Sequence, residues 1–281
     1  MRFGANTLIW AESFGPEEFP VLARVKAAGL DGVEIPLFHP AGFAARDVRR
    51  ALEEAGLECT ACTVMPRGRS LASPDPQERD RGRQHLRECL SAAAEVGAGL
   101  LVGPMYSPVG DFTGQRRTPD EWQRVVESWQ ELADTVQASG VAVAMEPLNR
   151  FETYFLNTVA DAALLCDQIG HPRIGILVDT FHANIEEKSV GAALRQAGRH
   201  LKHVHTCEND RGTPGTGNVH WPEFFAALQA VRYDGWLTIE SFGFRLGEIA
   251  AAASIWRDLA PTPESIAFEG VKFLRANVAK A

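Results

Sequence analysis

Four apolar runs, VAVAME (141–146), IGILVD (174–179), LKHVH (201–205) and WLTIE (236–240), each close on a side chain able to bind a metal: Glu146, Asp179, His205 and Glu240. The four are separated by 33, 26 and 35 residues, the length of one strand plus one crossover helix in a parallel α/β protein. Such a repeat brings every strand end to the same rim. In a (β/α)8 barrel that rim is the C-terminal face, where residues distant in sequence converge and active sites lie. One acid after one strand is ordinarily a helix cap or a loop carboxylate. Four donors at matching strand ends point instead to a divalent cation, because oxygen ligands with one imidazole suit manganese, cobalt or magnesium.

Strand alternation gives these side chains a direction. With a period of two, Glu146 shares a face with Ala144 and Ala142, Asp179 with Leu177 and Gly175, and Glu240 with Thr238. The opposite faces carry Val143 and Met145, Ile176 and Val178, Leu237 and Ile239. The bulky face is expected under the helices and the smaller face toward the barrel axis. Eight strands are expected in all, over residues 3–9, 32–37, 58–65, 100–106, 141–146, 174–179, 201–205 and 236–240. Helices are expected over 20–28, 44–55, 76–96, 119–138 and 221–231, several of them stopped by Gly29, Gly56, Gly97 or Gly140. A final helix over 263–278 is expected on the barrel's exterior or at a subunit contact. The chain of 281 residues, 45% apolar, thus reads as one α/β domain, residues 1–281, a single (β/α)8 TIM barrel with an extra C-terminal helix.

Charge and cysteine content exclude several function classes. A formal net charge of −8 with no Lys/Arg block argues against nucleic acid, whose phosphates are gripped by basic surface. No apolar stretch reaches the roughly 18 residues that span a bilayer. The absence of a secretory pattern, together with five scattered cysteines, an odd number, leads us to expect a cytoplasmic location. The pair Cys59 and Cys62 resembles half of a zinc or redox site. An offset of three within a strand, however, turns the two thiols to opposite faces, which leaves Cys62 alone to line a pocket. The glycine-rich GTPGTG (212–217) lacks the Gly-Lys-Ser/Thr ending of a phosphate loop and is expected to be a mobile loop near the rim.

The segments MEPLNRFE, VDTFHANIEE, HVHTCENDRGTPGTG and IESF resemble those of the ketose 3-epimerases, the tagatose and allulose (psicose) epimerase group within the xylose-isomerase-like TIM barrels. The resemblance covers most of the chain and is strongest over 141–242. It implies metal ligation by Glu146, Asp179, His205 and Glu240, with one divalent ion per subunit, manganese foremost and cobalt or magnesium as alternatives. It also implies substrate contacts from Glu152, His182 and Arg211. Inverting a carbon beside a ketone requires a base on each face, and Glu146 and Glu240 are expected to fill those two catalytic roles around a cis-enediolate. Trp10, Phe38, Met105 and Tyr106 follow early strands and are expected to wall the sugar's far end.

The partner implied is a small ketose, a ketohexose or ketopentose, handled by a homodimer or homotetramer. GPMYSPVGDF (103–112) lacks the tryptophan that some relatives carry there, so fructose/allulose, tagatose/sorbose and ketopentose pairs all stay open. Related users of the barrel are the alternatives: an aldose or hydroxypyruvate-type isomerase, an inosose or keto-glycoside enzyme, or a sugar-binding barrel without catalysis. A multi-zinc repair nuclease is disfavoured by the acidic charge and the single histidine ligand.

Overall fold

The computed structural model describes residues 1–280. Eight parallel strands pair in chain order, and the last pairs with the first to close a barrel. They are β1 Arg2–Asn6, β2 Gly32–Pro36, β3 Glu58–Cys62, β4 Leu100–Gly103, β5 Ala142–Met145, β6 Ile174–Asp179, β7 Leu201–His205 and β8 Trp236–Ile239. Helical segments separate consecutive strands, so the architecture is the expected TIM barrel. The helix Pro263–Val278 lies outside it, with Gly270 against Ile239 and Phe268 beside Trp10.

Local chemistry sets the helix ends. Asp75 accepts from the Gln77 N–H ahead of Pro76–Val96, and Thr118 forms a reciprocal box with Glu121 ahead of Pro119–Glu131. Gly56, Gly97 and Gly140 end their helices in the left-handed conformation, as expected of the glycine stops. The stretch 119–138 differs from a single helix: Leu132 interrupts it, donating to Gln130 and Ser128, and a second helix runs over Ala133–Ser139. Two helices, Thr180–Glu186 and Val190–Ala197, fill the β6–β7 connection.

The two faces of the strands separate as the alternation predicts. Cys62, Leu100, Val102, Ala144 and Leu177 form a compact cluster inside the barrel, whereas Val143, Met145, Ile176, Val178, Leu237 and Ile239 join the large core beneath the helices. Cys59 lies in that outer core with its thiol toward the Val96 carbonyl, while Cys62 faces Asn6. They are not a metal or redox pair.

Three strands, β1, β3 and β4, end three residues earlier than expected, and β2, β5 and β8 one residue earlier. β1 stops at Asn6, whose side chain accepts from Leu8 N–H at 2.9 Å and starts a 3-10 turn over Thr7–Ile9. β3 stops at Cys62. β4 stops at Gly103, whose φ of +129° only glycine adopts readily and whose missing Cβ would lie 2.1 Å from the Thr63 carbonyl oxygen.

That contact yields a prediction about stability. Gly103→Ala should cost about 3 kcal/mol or more, because backbone strain and a backbone clash add. Gly110→Ala, also at positive φ but facing open space, should cost only about 1 kcal/mol. Equal unfolding midpoints in urea for the two variants would contradict this account of the β4 end.

Candidate metal centre and active site

β6 and β7 end on Asp179 and His205, which are paired in register, and Glu146 and Glu240 directly follow β5 and β8. All four side chains are buried. Nδ1 of His205 lies 3.4 Å from Glu240 Oε1, 3.7 Å from Asp179 Oδ2 and 4.0 Å from Glu146 Oε1. One ligand atom from each of the four residues falls within 4.8 Å of every other. Glu146 Oε1 and His205 Nδ1 are buried and have no hydrogen-bond partner. Buried polar atoms are nearly always satisfied, so a pair of orphans facing one another fits a cation held between them. The cluster is consistent with a divalent metal site.

Neighbouring groups hold each ligand in place. Asp179 uses Oδ1 to cap the helix Thr180–Glu186, accepting from Phe181 N–H at 2.6 Å, and so turns Oδ2 to the cluster. The Tyr106 hydroxyl donates to the Glu146 carbonyl at 2.9 Å. His205 Nε2 sits 2.7 Å from Glu34 Oε1. Arg211 Nη1 donates to Asp179 Oδ2 at 2.9 Å and also to Glu240 Oε2, while its guanidinium stacks 4.0 Å over the Phe181 ring. Arg211 reaches this position from a left-handed backbone with φ of +66°, the kind of local strain that collects at functional sites.

The same crowding shifts the titrations. Burial pushes the Glu146 carboxyl well above its ordinary range, and the charge of Glu240 adds to that. Burial acts the same way on Asp179, but the Arg211 guanidinium and the nearby His205 imidazole outweigh it and hold that carboxyl low. For His205 burial disfavours the cation, yet Glu34 and Glu240 outweigh it and raise the imidazole well above its usual range.

Above the cluster lies a cavity of about 230 Å³. Glu152, His182 and Arg211 line it on the polar side, and Leu8, Phe38, Val64, Val109 and Phe242 on the apolar side. His182 is held neutral, its pKa lowered to about 3 by burial and by Arg211. Its Nδ1 receives the Asn149 backbone N–H at 3.1 Å. Its Nε2 lies 3.1 Å from Arg211 Nη2, which also can only donate, and 3.6 Å from Glu146 Oε1. Glu152 accepts from Asn149 Nδ2 at 2.9 Å, and burial raises its carboxyl. A larger hollow of about 580 Å³ opens at the opposite end of the barrel among Arg2, Glu58, Lys202 and Trp236; the cluster described above lies at the other end.

The residues singled out in the sequence do not all meet. Glu146, Asp179, His205, Glu240, Glu152, His182, Arg211, Cys62 and Phe38 border the cluster or the cavity. Trp10 does not: the 3-10 turn after β1 carries it outward, where it packs 6.2 Å from Phe268 of the last helix. Met105 and Tyr106 are fully buried in the outer core instead of walling the cavity, because β4 has already ended at Gly103. In the GTPGTG segment the Gly215 N–H, with Val219 N–H and the Trp221 indole, points at the buried Glu208 carboxylate.

Glu34, Asn149 and Phe242 escaped the sequence reading. Glu34 alone left a signal there, a single charge inside the apolar strand GVEIP.

Residues 22–277 match the family model described as the xylose isomerase-like TIM barrel. The chain is 40% identical over 276 residues to a probable ketose 3-epimerase of Synechocystis sp., covering 98% of this chain and 96% of the relative. It is 31% identical to a D-psicose 3-epimerase of Ruminiclostridium cellulolyticum, covering 92% and 90%. The structure of D-allulose 3-epimerase from Methylomonas sp. in complex with D-allulose superposes with a TM-score of 0.93 at 28% identity, covering 98% of this chain and 96% of that one. With the four ligand-type residues at one rim and likeness along nearly its whole length, this chain belongs to the ketose 3-epimerase family within the xylose isomerase-like TIM barrels and is an epimerase.

Proposed function

We propose that this chain inverts C3 of a free ketose, a ketohexose or ketopentose, with Glu146 and Glu240 as the two acid/base groups and Glu146, Asp179, His205 and Glu240 as ligands of one divalent ion. The observation that carries the proposal is the paired approach of the two glutamates: each turns one oxygen toward His205 Nδ1 beneath a single cavity. The charge balance supports a divalent ion. Three carboxylates and the Arg211 guanidinium leave two negative charges when His205 is neutral. Manganese is the first choice for this donor set, with cobalt and magnesium as alternatives. Such an ion, when bound, supplies Lewis-acid polarisation of the ketone and so acidifies the neighbouring C–H.

The chain's own groups account for the remaining chemistry. One glutamate removes the C3 proton from its face of the sugar, the charge spreads as an enediolate, and the other glutamate delivers a proton from the opposite face. Which one acts as base depends on the starting epimer. The Arg211 guanidinium donates toward the oxygens at C1 and C2 with His182 beside it, and Glu152 accepts from a hydroxyl. The apolar wall of Leu8, Phe38, Val64 and Val109 excludes water from the reacting carbon.

Three predictions separate the roles. Arg211→Ala should lower kcat/KM roughly 100-fold and Glu152→Gln roughly 10-fold, as lost charge-assisted contacts. Both variants should retain bound metal by elemental analysis. Metal lost from both would contradict the assignment. In D2O the product should carry deuterium at C3; label at C1 or C2 would identify an aldose–ketose isomerase instead. Glu146→Gln and Glu240→Gln should each abolish epimerisation, and near-normal turnover in either would remove that residue from the two-base scheme.

A further inference from the structure

We propose that Glu34 is the positioning residue that aims His205: it accepts the hydrogen bond from Nε2–H of that ring and thereby leaves Nδ1 as the free lone pair facing Glu146, Asp179 and Glu240. The proposal rests on the divalent-metal reading given above. Glu34 lies in mid-strand on β2, fully buried, one layer beneath the rim. Its carboxylate collects groups from three other strands. Oε1 faces Asn6 Nδ2 of β1 at 3.0 Å and His205 Nε2 of β7 at 2.7 Å. Oε2 faces Thr60 Oγ1 of β3 at 2.9 Å and His203 Nε2 of β7 at 2.9 Å.

The network fixes the direction of the proton. Asn6 Oδ1 is occupied by the Leu8 N–H, so the amide nitrogen must face Glu34 and donate. An ionised carboxylate only accepts, so the contact at 2.7 Å requires hydrogen on His205 Nε2. A neutral His205 then carries no hydrogen on Nδ1, the nitrogen left without a partner at the rim. Metal-bound histidines characteristically give their other ring N–H to a carboxylate, which fixes tautomer and ring orientation. His203 packs edge-on against the same ring, centroids 5.1 Å apart, and limits its rotation. A merely structural polar layer would stabilise the barrel without controlling which nitrogen of His205 is free.

The test uses the full chain, stripped of metal and titrated calorimetrically with Mn2+, for wild type, Glu34→Gln, Glu34→Leu, Thr60→Val and His205→Ala. Melting temperatures report the structural contribution, and 15N spectra of histidine-labelled protein report the His205 tautomer. Glu34→Leu should raise the Mn2+ dissociation constant roughly 10- to 100-fold. Glu34→Gln, whose amide oxygen still accepts, should raise it less. Thr60→Val should lower the melting temperature yet leave Mn2+ affinity within about twofold, since it does not touch His205. A folded Glu34→Leu variant that binds Mn2+ as wild type does, with Nε2–H retained, overturns the proposal.

Should Glu34→Leu fail to fold, Glu34→Gln decides: weakened Mn2+ binding or a mixed tautomer supports the proposal, and wild-type values for both overturn it. If wild type and His205→Ala both fail to bind Mn2+, the metal reading is what has failed. The ring protons then still judge Glu34: hydrogen on Nε2 in wild type and its loss in Glu34→Leu or Glu34→Gln support it, whereas a wild-type ring with hydrogen on Nδ1 alone overturns it.

Discussion

Three buried carboxylates gathered around one imidazole nitrogen are the constraint on which the rest of this barrel depends. Two unit charges about 4 Å apart repel by about 4 kcal/mol at an effective dielectric near 20, and burial removes the water that would otherwise screen them. Glu146, Asp179 and Glu240 can share the rim only where positive charge is supplied. Arg211 supplies part of it, binding Asp179 and the outer oxygen of Glu240. The inner oxygens and His205 Nδ1 are left facing one another, an arrangement consistent with a divalent cation supplying the remainder.

That arrangement explains features that are otherwise unconnected. Asp179 serves as helix cap and cluster member at once, with one oxygen for each task. The β7–α connection holds Arg211 in a left-handed conformation, and the nearby Glu208 carboxylate gathers the Gly215 and Val219 N–H groups and the Trp221 indole. Beneath the rim, Glu34 ties β1, β2, β3 and β7 together around the back of His205. The barrel therefore has a polar layer directly below its reactive one, where a TIM barrel commonly packs branched aliphatic side chains.

The ends of β5 to β8 were legible in the sequence because each apolar run closed on a ligand-type residue, and those residues were legible because they repeated at that same place. The helix stops were legible where glycine needed a left-handed conformation, at Gly56, Gly97 and Gly140. Residues acting from mid-strand were not. Glu34 resembles any lone charge until the fold sets it opposite a histidine 171 positions away, and only closure of the barrel does that. Trp10 misled for a related reason: the distance along the chain from β1 suited the rim, but the turn capped by Asn6 rotates it outward onto a helix that begins at residue 263. Met105 and Tyr106 were misplaced because apolar sequence runs on past Gly103 while the strand does not.

The most direct test of the charge argument is anomalous diffraction at the manganese edge from crystals of the protein loaded with Mn2+ and a ketose. The account predicts one strong peak per chain, bounded by Glu146, Asp179, His205 Nδ1 and Glu240, with Glu34 remaining on Nε2 and sugar oxygens completing the shell. A peak elsewhere, or manganese held through His205 Nε2, would contradict it.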